Sequence, residues 1–154
     1  MGKLYVVRHA DAGPRGHSAR PDEERELSER GWRQAEGLCL ELGEREITRL
    51  VASPYVRCRQ TLEPLGKVLG LSVEPDDRLA EGTGAYGALA VATEVRASGA
   101  VLCSHGDVIP DLLDHLVANG AKLKDELRWP KASTWELSWD GDQLTKGRYL
   151  PPPA

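Results

Sequence analysis

Residues 3–13, KLYVVRHADAG, decide the fold: a short β-branched and aromatic run, Lys3 to Arg8, ends abruptly in loop residues from Ala10 through Gly16. The run suits a buried strand, so Arg8 and His9 fall at its C-terminal end. Residues 100–106, AVLCSHG, repeat the arrangement, with an apolar run ending at Ser104-His105-Gly106. Two histidines thus leave two buried strands at the same relative position. In open α/β sheets ligands gather beyond the carboxyl ends of the strands, which makes both histidines candidates for one site.

Outward from these strands the pattern alternates. Ser28 is placed to cap a helix whose apolar side carries Trp32, Ala35, Leu38, Cys39 and Leu42 and which Gly43 closes. Leu50 to Ala52 reads as a second buried strand. Ser53-Pro54 then opens a helix that Pro64 is expected to kink or interrupt. Val73 begins a third short strand, Glu81 to Gly87 reads as a glycine-rich loop, and Ala88 to Ala97 is helical by propensity. Ile109, Leu112, Leu113 and Leu116 mark a helix after His105. Thr134 to Trp139 and Leu144 to Tyr149 flank Asp140-Gly141-Asp142 as a hairpin. The expected architecture is a three-layer α/β/α sandwich with a mostly parallel central sheet, one domain over residues 1–150, and a loose tail at 151–154.

Composition narrows the function classes. The 154 residues suffice for one sizeable core, and a net charge of -4 argues against a protein that coats nucleic acid polymers or anionic membranes. Three cysteines, Cys39, Cys58 and Cys103, form neither a disulfide framework nor a metal spacing. The apolar run at the N-terminus is too short for a signal peptide or a membrane span. A cytoplasmic protein with no metal and no cofactor is expected.

The polar residues at the strand ends suit an anion. Arg8 neighbours His9, and Arg57 falls in the first turn of the helix after the second strand, where guanidinium and helix N-terminus both favour negative charge. Phosphate monoesters hydrolyse so slowly that a catalyst needs pre-set positive charge around the transferring group, which Arg8, Arg57 and His105 can supply. A neutral His9 can act as the nucleophile. Glu81, in the loop after Leu79-Ala80, can protonate a leaving group. Ser53, at the opening of the Arg57 helix, is a further candidate for substrate contact, as is His17, which shares a polar loop with Arg15 and Arg20.

VVRHADAG (6–13), LVASPYVRCRQT (50–61), RLAEG (78–82) and VLCSHGD (101–107), in that order, resemble the histidine phosphatase, or phosphoglycerate-mutase-like, superfamily. The resemblance spans residues 3 to about 149 and implies a metal-independent phosphatase with a phosphohistidine intermediate on His9. It assigns Arg8, Arg57 and His105 to the phosphate pocket and Glu81 to proton donation. RELSERGWRQAEGL (25–38) resembles a stretch of the short SixA-type branch, which implies that Arg25 reaches phosphate or substrate. Ala10 replaces the family's usual glycine after the nucleophile. DAGPRGHSAR (11–20) lacks the asparagine of the mutases, whose long insertions are also missing, and both points favour the SixA-type branch. That branch implies a protein phosphohistidine substrate. Similarity to phosphatase domains fused behind Nudix hydrolase domains instead implies nucleotides or other small phosphate esters. A phosphate-binding module without turnover is the third reading.

Overall fold

In chain order the elements are β1 (Lys3–Arg8), α1 (Glu29–Leu42), β2 (Arg49–Ala52), α2 (Val56–Leu69), β3 (Val73–Pro75), α3 (Gly84–Glu94), β4 (Ala100–Ser104), α4 (Val108–Ala118), β5 (Lys122–Leu123), β6 (Thr134–Asp140) and β7 (Gln143–Leu150). Short 3-10 turns lie at Asp22–Glu24 and Asp77–Leu79. The computed structural model describes residues 2–16 and 19–153, and His17 lies outside the described residues.

One sheet runs β3-β2-β4-β1-β6-β7-β5. β1 pairs parallel with β4 and antiparallel with β6, and β6 pairs antiparallel with β7, so β6 alone runs against the other strands. Because side chains alternate along a strand, β1 feeds two cores. Leu4 and Val6 pack with α3 and α4, while Tyr5 and Val7 pack with α1 and α2. The three layers and the mostly parallel sheet are those expected from the alternation of elements. Burial of each such aliphatic side chain contributes about 1.5–3 kcal/mol.

Several local expectations are corrected. α2 begins at Val56 with Tyr55 at its N-cap, because the Ser53 hydroxyl is engaged elsewhere. Pro64 sits inside α2 without ending it: Leu62 and Leu65 on the same helix are wholly buried, and this packing outweighs the missing hydrogen bond. α3 starts at Gly84, inside the stretch read as loop, and ends at Glu94 rather than Ala97. β5, two residues long, was too short and polar to show in the pattern. Pro153 lies against Gly37 of α1.

The chain leaving β1 is held against the first turns of α1. Ser28 caps α1, its hydroxyl accepting from the Gly31 amide and donating to the Asp11 carboxylate at 2.6 Å, while its own amide donates to the Asp11 carbonyl at 3.0 Å. Gly31 permits this approach, since a Cβ there would lie 1.9 Å from the Asp11 carbonyl oxygen. Replacing glycine by alanine inside a helix ordinarily gains about 1 kcal/mol. Here the clash outweighs it: Gly31→Ala is expected to destabilise by about 1–3 kcal/mol in urea denaturation, and wild-type stability in this variant would contradict the close approach.

Candidate active site

β1, β4 and β2 are neighbours, so their C-terminal ends bring Arg8, His9, Ser53 and His105 to one edge of the sheet. Backbone bonds lock the exits together: the His9 amide donates to the Ser104 carbonyl at 3.1 Å, and the Ser53 amide to the Cys103 carbonyl at 3.0 Å. The two histidine rings meet edge to face with centroids 5.6 Å apart.

His9 is 4% exposed, and its Nδ1 lies 2.8 Å from the Ala10 carbonyl oxygen. A carbonyl only accepts, so Nδ1 carries the proton and Nε2 keeps its lone pair. Burial, reinforced by the charges of Arg57 and Arg8 and by His105, lowers the His9 pKa to about 3, against the smaller opposing effect of the Ala10 bond. The ring is therefore neutral at physiological pH, as a histidine nucleophile must be.

Arg57 has no exposed surface. Its Nη1 donates to the Asp22 carbonyl at 2.8 Å, and its Nη2 donates to Asp22 Oδ2 at 3.1 Å and to Glu81 Oε1 at 2.8 Å. The guanidinium lies over the Tyr55 ring, 4.9 Å from its centroid. Glu81 Oε1 also accepts from Arg15 Nη2 at 2.9 Å and lies 3.5 Å from His105 Nδ1. Burial pushes the Glu81 carboxyl up, but the Arg15 hydrogen bond and the charges of His105, Arg15 and Arg57 outweigh it, so the group is held below its ordinary value. Asp22 closes the network through bonds from Arg15, Arg25 and Arg57.

His105 is 1% exposed; its Nε2 lies 2.8 Å from Ser53 Oγ and 3.6 Å from Cys58 Sγ. Arg8 donates from Nη1 to the Trp129 carbonyl, and its guanidinium lies so close to Gly106 that a Cβ there would approach it to 2.7 Å. The segment before β6 closes over the end of β1: Ala132, in the left-handed region at φ 66°, donates its amide to the carbonyls of Arg8 and His9.

A cleft of about 570 Å³ opens over these groups, lined by Arg8, His9, Arg15, Arg25, Glu81, Trp129 and Lys131 among others. Of the residues singled out from sequence, Arg8, His9, Arg25 and Glu81 line the cleft; Arg57 is bonded to Asp22 and Glu81, and His105 lies against Glu81. Ser53, expected to touch substrate, is fully buried and contacts His105 instead. Arg25 lines the cleft and also donates to the carbonyls of Ala12 and Gly13, bracing the loop after His9. Asp22, Gln34, Thr61, Trp129 and Lys131 went unread in the sequence. Among the described residues no group of three or more His, Cys, Asp or Glu side chains is placed to hold a metal ion, and no helix is long and apolar enough to cross a membrane.

Buried guanidinium, neutral histidine and paired carboxylates around one cleft form a polar site with the means to hold an anionic group. Comparison with known proteins agrees: the pattern of the histidine phosphatase superfamily (branch 1) matches residues 4–96, and the chain belongs to that family. It is similar to an 8-oxo-(d)GTP phosphatase of Mycolicibacterium smegmatis, with 36% identity over 97% of this chain and 48% of the relative, so it spans about half the relative's length. A Nakamurella multipartitia structure, proposed to be a phosphohistidine phosphatase SixA, is 29% identical with a TM-score of 0.78, over 99% of this chain and 97% of that one. A protein histidine phosphatase SixA complexed with tungstate shares the fold at 22% identity and a TM-score of 0.73, over 99% and 96% of the two chains.

The carboxyl at Glu81 reports directly on this network. Arg15→Gln removes the strongest influence that lowers it, so the Glu81 titration followed by carboxyl carbon NMR is expected to move to higher pH. An unchanged titration would show that Arg15 does not face Glu81 in solution.

Proposed function

We propose that the chain hydrolyses phosphorylated nucleotides through a phosphohistidine on His9, without a metal. The observation that carries the chemistry is the neutral His9 ring with Nδ1 tied to a carbonyl, beside Arg57 and Arg8. In the first step His9 Nε2 attacks phosphorus, the bond to the leaving group breaks, and Arg8, Arg57 and His105 hold the equatorial oxygens. In the second, water attacks, the N–P bond breaks, and inorganic phosphate leaves. Glu81 protonates the leaving group in the first step and takes the proton of water in the second.

Two features support a nucleotide. The cleft extends beyond His9 and is lined also by Trp129, Lys131 and Arg15; in this reading the Trp129 indole stacks on a base and the two cations meet further phosphate. A relative 36% identical over 97% of this chain is named for nucleotide hydrolysis. Glu81, held ionised at rest, suits a leaving group that departs with little acid assistance, such as the phosphate of an anhydride. That same property favours a second reading, a protein phosphohistidine substrate whose imidazole also needs little protonation, and the Nakamurella structure supports it.

Turnover with EDTA present of a nucleoside diphosphate, the matching triphosphate and monophosphate, acetyl phosphate and a phosphohistidine-bearing carrier protein separates the readings. We expect nucleotide hydrolysis, and an increase of about fivefold or more in KM for nucleotides but not acetyl phosphate in Trp129→Ala, from lost stacking worth about 1–3 kcal/mol. Turnover of the carrier protein with inert nucleotides would establish the second reading instead.

A further inference from the structure

Beneath the active site, the two peptide units that flank Ala10 are each held by a buried side chain from a different helix. The Ala10 amide donates to Thr61 Oγ1 of α2 at 2.9 Å, and Thr61 in turn donates to the Arg57 carbonyl at 2.7 Å. The Asp11 amide donates to Gln34 Oε1 of α1 at 2.9 Å. Gln34 is 7% exposed and Thr61 fully buried, so neither can exchange its partner freely for water.

The Ala10 carbonyl and the Asp11 amide belong to one planar trans peptide, and no cis bond occurs among the described residues. In such a unit the two groups point to opposite sides. Holding the amide at Gln34 therefore aims the carbonyl at His9 Nδ1, 2.8 Å away. A hydrogen bond at one end of an amide also polarises the other, making the carbonyl a stronger acceptor. A stronger acceptor at Nδ1 favours the tautomer with its proton there and leaves Nε2 as the free base.

Gln34 lies one further turn along the α1 edge that includes Ser28 and Gly31. Ser28 holds the next carbonyl along, that of Asp11, and Gly31 makes room for it. Three positions at intervals of three thus clamp two consecutive backbone groups, which points to positioning and exceeds what burial of an apolar face requires.

We infer that Gln34 is a positioning residue for the reaction, fixing the tautomer and the ring orientation of His9 through the Ala10–Asp11 peptide. The inference rests on the reading of His9 as nucleophile only for its kinetic consequence; its structural content, a tautomer set by Gln34, stands apart. Nothing in it requires Gln34 to touch substrate.

Nitrogen-15 NMR of the imidazole at neutral pH tests it. In the wild-type protein His9 is expected as a single neutral tautomer with the proton on Nδ1. Gln34→Met removes the acceptor at similar volume and is expected to give a mixture of tautomers and a fall in kcat of about ten- to a hundredfold, with KM changed less. Gln34→Glu keeps an acceptor for the Asp11 amide and is expected to restore the Nδ1 proton and most of kcat. A wild-type His9 with its proton on Nε2 overturns the inference without any variant, which covers a Gln34→Met protein that does not fold. A folded Gln34→Met protein with the wild-type tautomer and rate also overturns it. If no substrate is turned over while the tautomer responds as expected, the proposed function fails and the role of Gln34 stands.

Discussion

A guanidinium with no exposed surface governs the site. Burying a charge costs several kcal/mol unless partners replace its water, so Arg57 compels the surrounding chain to bring it anions. Asp22 and Glu81 answer that demand, and each is itself held by Arg15. At rest the network neutralises itself, with carboxylate oxygens lying where phosphoryl oxygens would accept from Arg57. A bound phosphoryl group offers the same oxygens with greater charge, and so competes with Asp22 and Glu81. A Glu81 carboxyl that loses Arg57 to that competition gains a like-charged neighbour, and its affinity for a proton rises.

The second constraint is the exit of β1. A strand buried on both faces delivers Arg8 and His9 to the sheet edge with little freedom, and the loop that follows is pressed onto α1 and α2 by Ser28, Gly31, Gln34 and Thr61. These contacts explain why burial of His9 does not leave its ring adrift: the carbonyl that accepts from Nδ1 belongs to a rigid peptide. The low pKa and the fixed tautomer are two results of one enclosure.

Much of this was legible in the sequence, for identifiable reasons. Arg8, His9 and His105 lie within two residues of the ends of uninterrupted apolar runs, so period and turn residues place them without tertiary information. Arg57 follows from the strand and helix around Ser53-Pro54, and the order of four motifs pointed to the family. What stayed hidden depends on partners distant in the chain. Asp22, in PDEER, reads as a solvated acidic turn until Arg57 is seen beside it. Gln34 sits on a helix face whose neighbours are apolar, with no local sign of the Asp11 amide it meets. Local chemistry suits Ser53 to a helix cap, whereas the fold brings His105 Nε2 to its hydroxyl. Trp129 and Lys131 lie in a segment without periodicity, shaped in part by the left-handed Ala132.

The chemistry of His9 can be tested most directly by rapid quench of the wild-type protein with a radiolabelled phosphoryl donor, followed by peptide mapping under alkaline conditions. The account predicts one acid-labile, base-stable phosphate on the peptide that contains His9, formed faster than phosphate is released and absent from His9→Ala. No covalent phosphate during active turnover, or a label on His105 or Ser53 instead, would contradict it.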